Sequence, residues 1–174
     1  MAKYVELRRH TDNDGDMLTP DGARTAVEIG SSLTGGYDLL VSTGAQRATQ
    51  TLTCFLAGLG EKVRQGVVVE PGLRSDVEDR WRAAYEKAGS GDLAALREAD
   101  PELVEKDSAS LGAALRRVFD ALPDGGRALV VGHSPTNEAA VFGLAGAMVE
   151  PISKGDGVLV VEEDGALRVE ELPE

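Results

Sequence analysis

Short apolar runs alternate along the chain with longer stretches of helical period, the arrangement expected where crossover helices connect parallel strands. Runs at Tyr4–Arg9, Asp38–Ser42, Val67–Glu70, Ala128–Gly132, Val158–Glu162 and Leu167–Glu171 predict six buried strands. The last two are joined around Asp164 and Gly165, a hairpin signal that predicts an antiparallel edge on the C-terminal side of the sheet. Thr19 followed by Pro20 reads as an N-cap and first helical position, opening a helix through Ala23, Ala26, Val27 and Leu33 that stops at Gly35 and Gly36. A second helix begins near Ala45 and turns Leu52, Phe55 and Leu59 toward the core. Asp107–Leu122 repeats the pattern with Leu111, Leu115, Val118 and Leu122 on one face. Ser134 and Pro135 form another cap and first-position pair before Ala139–Met148. The stretch 71–106 is rich in charge and alanine and sets Trp81 and Tyr85 one turn apart, which predicts a helical insertion able to form a lid. The fold class that follows is α/β, a three-layer α/β/α sandwich with a mostly parallel central sheet.

At 174 residues the chain fits a single domain, 1–174, with that insertion at 71–106. No stretch approaches the roughly 18 apolar residues that span a bilayer. The first residues lead straight into a strand pattern without the basic start, apolar centre and cleavage site of a secretory signal, so the expected location is cytoplasmic. The single cysteine, Cys54, can form neither an internal disulfide nor a multi-cysteine zinc site, and its helical position places it against the core. A net charge of -12 argues against nucleic-acid or membrane partners, which demand clustered positive charge. It leaves open a pocket made locally positive by a few arginines.

The candidate chemistry lies at strand ends, where ligands bind in open parallel sheets. Arg9 and His10 stand where the first strand stops. Ser42 closes the second, as a turn or capping residue, and Arg47 follows in the first turn of the next helix, where free N–H groups favour anions. His133 ends the fourth strand. Both histidines of the chain therefore lie at strand ends that open onto helices. Asp12, Asp14 and Asp16 suggest calcium, but Gly15 falls one place early for an EF-hand loop and Ala23 replaces its closing glutamate, so the segment reads as a solvated acidic loop. Arg8 alternates to the face away from Arg9, where a carboxylate can pair with it.

Arg9-His10-Thr11, then Leu18-Thr19-Pro20 with Gly22, then Ser42 with Arg47, Ala48, Gln50 and Thr51, then Gly132-His133-Ser134-Pro135 resemble the histidine phosphatase superfamily, the phosphoglycerate mutase-like family, in order over most of the chain. Two departures stand out: Thr11 replaces the usual glycine, and Thr43-Gly44-Ala45 replaces serine-proline-leucine. In size the chain is similar to the family's short phosphohistidine phosphatases. The resemblance implies a phosphatase acting on phosphomonoesters or phosphohistidine, with transient phosphorylation of His10 and phosphate binding by Arg9, Arg47 and His133. Arginine forks match the equatorial oxygens of a phosphoryl group, and a protonated His133 adds one more donor. These positioned cations remove the need for a metal or other cofactor.

The glutamate that many members place two residues after a leucine is absent, because that frame reads Leu73-Arg74-Ser75. Asp76, or Glu78 slightly further on, is the candidate acid for the leaving group. If neither serves, substrates whose leaving groups depart unaided are preferred. The expected partner is a small phosphorylated substrate or a phosphoprotein, with oligomeric state open. Two alternatives remain: a phosphoglycerate mutase-like phosphoryl mutase, and a non-catalytic binder of phosphorylated ligands.

Overall fold

The computed structural model describes residues 1–173. Its elements run β1 (Lys3–Arg9), β2 (Asn13–Asp14), β3 (Met17–Leu18), α1 (Pro20–Ser32), β4 (Leu39–Ser42), α2 (Gln46–Leu59) and β5 (Val67–Val69). A 3-10 turn (Pro71–Leu73) leads to α3 (Glu78–Ala88), α4 (Leu93–Ala99), α5 (Pro101–Ala121), β6 (Arg127–Gly132), α6 (Thr136–Ala145), β7 (Gly157–Glu163) and β8 (Ala166–Glu171). The main sheet has the order β5-β4-β6-β1-β7-β8. Its first three pairings are parallel, and β7 and β8 add an antiparallel edge through the Asp164–Gly165 turn. All six predicted strands are present. The small β2–β3 ladder within the polar loop carries no hydrophobic alternation that sequence reasoning could have used.

Strand alternation divides the interior in two. Val5 and Leu7, Leu39 and Val41, and Ala128 and Val130 face α3–α6, whereas Leu40, Leu129 and Val131 face α1 and α2. This is the three-layer sandwich predicted from the runs. The exception is β5, which lies at the sheet edge with Val67, Val68 and Val69 exposed, so an apolar run alone did not guarantee burial. Helix α5 crosses α6 closely because Gly112 and Gly143 leave room: a Cβ on Gly143 would lie 1.8 Å from the Ser108 carbonyl oxygen.

Several boundaries differ from expectation. Helix α1 ends at Ser32, ahead of Gly35, and α5 starts at Pro101 because the Asp100 side chain caps Leu103 N–H, so the helical stretch does not break at Lys106. Ser134 is not an N-cap. Its hydroxyl donates to Glu138 and to the Ile152 carbonyl, and α6 begins at Thr136 and ends at Ala145, short of Met148. Within 71–106, Trp81, Ala84, Leu93 and Leu96 are buried in the larger core cluster, and the Trp81 indole donates to Asp107. These helices form a wall of the molecule, anchored by that burial. On the opposite face of β1, Arg8 pairs with Glu6 at 2.6 Å, as its alternation predicted, and Tyr37 donates to the same carboxylate. Among the described residues, no helix is long and apolar enough to cross a membrane.

Candidate active site

The parallel strands β1, β4 and β6 deliver His10, Thr43 and His133 to one end of the sheet. The two imidazole rings face each other with centroids 5.4 Å apart and planes tilted by 57°. Both are almost fully buried. His10 Nδ1 lies 2.8 Å from the Thr11 carbonyl oxygen, a contact that requires the proton on Nδ1 and leaves the Nε2 lone pair free. Thr11 keeps the loop in place without the usual glycine: its hydroxyl donates to the Gly22 carbonyl and its N–H to Thr51 Oγ1. Gly22 is needed for that approach, since a Cβ there would lie 2.0 Å from the Asp12 carbonyl oxygen.

His133 is held by the other departure from the family pattern. Its Nε2 lies 2.8 Å from Thr43 Oγ1, which also accepts the Ala45 N–H. The imidazole tautomer decides whether the ring or the hydroxyl donates. His133 Nδ1 is buried and has no protein partner. Sequence reasoning missed Thr43, whose signal was its place one residue beyond the end of β4.

Burial pushes His10 down to about 4, assisted by Arg47, Arg9 and Lys154 and opposed by the Thr11 bond. Burial also pushes His133 down to about 3, with help from Arg47, His10 and Arg74. Arg47 thus acts on both rings and Arg9 on His10. These surroundings disfavour the protonated form of His133 that would add a charged donor.

Arg9 donates through Nη1 to the Ile152 carbonyl at 3.0 Å, while its buried Nε has no partner. Arg47 donates through Nη1 to Asp16 at 2.8 Å. Lys154, from the loop before β7, pairs with Asp12. The acidic loop is solvated as expected, with Asp12, Asp14 and Asp16 all exposed, and two of its three aspartates also pair with cations. Ser42 bonds Thr49 and accepts the Gly44 N–H, the turn role expected of it.

Glu138, one turn into α6, went unnoticed in the sequence. It is 1% exposed, accepts the Ser134 hydroxyl through Oε1, and leaves Oε2 unpartnered. Burial pushes its carboxyl up to about 7, opposed by the Ser134 bond, by Arg9 on β1 and by the Ile152 backbone. Between the ordinary 4.5 and 7 the folded chain keeps a proton that the unfolded chain has released. Stability from this group therefore falls as pH rises through that window, by about 3 kcal/mol in all. Urea unfolding at pH 5 and pH 8 should show Glu138→Gln losing less stability across that interval than the unmodified chain. Equal losses would mean that the carboxyl is ionised throughout.

A cleft of about 730 Å³ is lined by Thr43 and Gly44 and by Arg74, Asp76 and Glu78, and neither histidine enters its lining. Glu78 is committed to Arg74 at 2.9 Å, and Asp76 is exposed. Ser75, which stands in the frame of the missing glutamate, is tied to Asp107 instead. Among the described residues, no cluster of three or more His, Cys, Asp or Glu is placed to hold a metal.

Strand order, layering and the placing of His10 and His133 at the carboxyl ends of the sheet define the class: the chain has the phosphoglycerate mutase-like fold. Phosphoglycerate mutase from Bacillus anthracis superposes with a TM-score of 0.74, covering 98% of this chain and 92% of its own at 20% identity. A mycobacterial glucosyl-3-phosphoglycerate phosphatase in complex with VO3 gives 0.69 over 97% of both chains at 16% identity. The phosphoserine phosphatase of Entamoeba histolytica, bound to 3-phosphoglyceric acid, gives 0.64 over 99% and 98% at 16% identity. No family model and no curated protein matches the sequence.

Proposed function

We propose that the chain is a phosphatase that passes a phosphoryl group from its substrate to His10 Nε2 and then to water. The observation that carries this reading is the hydrogen bond from His10 Nδ1 to the Thr11 carbonyl, which leaves an unprotonated Nε2 in a buried hollow beside two arginines. Arg9, Arg47 and His133 hold the phosphoryl oxygens while Nε2 attacks phosphorus in line and the leaving oxygen or nitrogen departs with the bonding pair. Water then attacks phosphorus, the P–N bond breaks back onto Nε2, and inorganic phosphate leaves. A mutase must shield its phosphoenzyme from water, and the open cleft at Thr43 favours hydrolysis over return of the group to substrate. The phosphatases among the structural relatives support the same reading. The substrate in this reading is a small phosphorylated molecule or a phosphoprotein in the cytoplasm, drawn by the arginines of the site against a net charge of -12.

Of the two candidate acids, Asp76 is the one with a carboxylate free to reach a leaving group, because Glu78 already holds Arg74. A panel of phosphohistidine peptide, acyl, aryl and alkyl phosphates should be turned over fastest where the leaving group needs no proton. Asp76→Ala is expected to slow alkyl esters by on the order of 100-fold while sparing aryl esters, and Glu78→Ala to change neither. An unchanged alkyl-to-aryl ratio in Asp76→Ala removes Asp76 from that role.

A further inference from the structure

We propose that Asp16 is a specificity-determining residue, a built-in carboxylate that competes with the phosphoryl group for Arg47. The proposal rests on the phosphoryl-binding reading of the site. Asp16 accepts three donors that a phosphoryl anion would use: Arg47 Nη1 at 2.8 Å, and the backbone N–H groups of Gln46 and Arg47 at the start of α2, both at 3.3 Å. The Arg47 charge acts on both histidines, lowering each, and Asp16 acts on His133 in the opposite sense.

The placement allows the carboxylate to leave. Asp16 lies in the turn of the β2–β3 ladder next to Gly15, whose φ is +59°, and its side chain is 49% exposed. The base of that hairpin is fixed independently: Thr19 and Lys154 bond Asp12, and the Leu18 N–H donates to Gln50. The tip can therefore swing aside without unseating His10. A monoanionic carboxylate yields to a phosphoryl dianion, which draws more from a guanidinium fork, but holds its place against another monoanion. Asp16 thus raises the threshold for entry and selects phosphoryl groups over carboxylates and sulfate esters.

The test measures binding of orthovanadate and inorganic phosphate to the full chain and to Asp16→Asn, with Asp16→Ser as a second variant. Asn and Ser both retain an oxygen that accepts the N–H groups of α2, so the helix start is preserved while the charge is lost. Vanadate should bind both variants roughly threefold to tenfold more tightly, and the gain should shrink with added salt. Asp14→Asn, on the same hairpin but away from Arg47, should leave binding unchanged. Folded Asp16 variants that bind vanadate no more tightly than the unmodified chain overturn the proposal while leaving the phosphoryl reading intact. Equal gains in Asp14→Asn overturn it as well, because net charge would then suffice. If no chain binds vanadate or phosphate, the phosphoryl reading fails and takes this proposal with it.

Discussion

In the His10→Asn protein, hydrolysis of an aryl phosphate falls by on the order of 10⁴-fold or more, and no acid-labile phosphate is found on the quenched chain. Asparagine can donate its amide N–H to the Thr11 carbonyl as the imidazole does, so the loop keeps its anchor while the attacking lone pair is lost. The cost to the fold is small for the same reason: the buried ring already stands neutral, with its pKa near 4, and an uncharged amide replaces it. Mass spectrometry of the quenched reaction places the adduct in the unmodified chain. Turnover in the variant at more than a hundredth of the original rate, or phosphate on another residue, would show that His10 is not the nucleophile.

Arg9→Ala produces the second largest loss, with kcat/KM down by on the order of 10²- to 10³-fold, the usual cost of removing one positioned donor to developing charge. Arg9 spans two tasks. Its Nη1 is tied to the Ile152 carbonyl, which fixes the guanidinium plane, and its positive charge favours the ionised form of the neighbouring Glu138. Lysine offers charge without a planar fork, so Arg9→Lys should recover only part of the rate. Steady-state kinetics on an aryl phosphate decide the matter, and Arg9→Ala retaining more than a tenth of kcat/KM would take Arg9 out of the phosphoryl pocket.

Much of this site was legible before any coordinates. Arg9, His10 and His133 stand at or just past the end of a strand and Arg47 in the first turn of the helix after β4, and apolar runs reveal strand ends because burial on both faces makes those runs continuous. Less legible were residues whose importance arises from what lies across from them. Thr43 and His133 are ninety positions apart in sequence, and nothing local in either announces the 2.8 Å contact between them. Nothing local marks Glu138 either, which packing leaves 1% exposed. Ser134 and Pro135 imitated a helix start because the cap signal is short, and the hydroxyl found Glu138 and Ile152 instead.

The chain's order of apolar and polar positions therefore determined the alternation of strands and helices, the parallel core with its antiparallel edge, and the strand ends at which cations and imidazoles would collect. Those features depend on periodicity and turn chemistry, which act within a few residues. Tertiary structure alone decided that β5 lies exposed at the edge, that Asp16 reaches Arg47, that burial lowers both histidines, and that His10 Nδ1 meets the Thr11 carbonyl. Each of those depends on desolvation and on distances between groups far apart along the chain, quantities that exist only once the layers have packed.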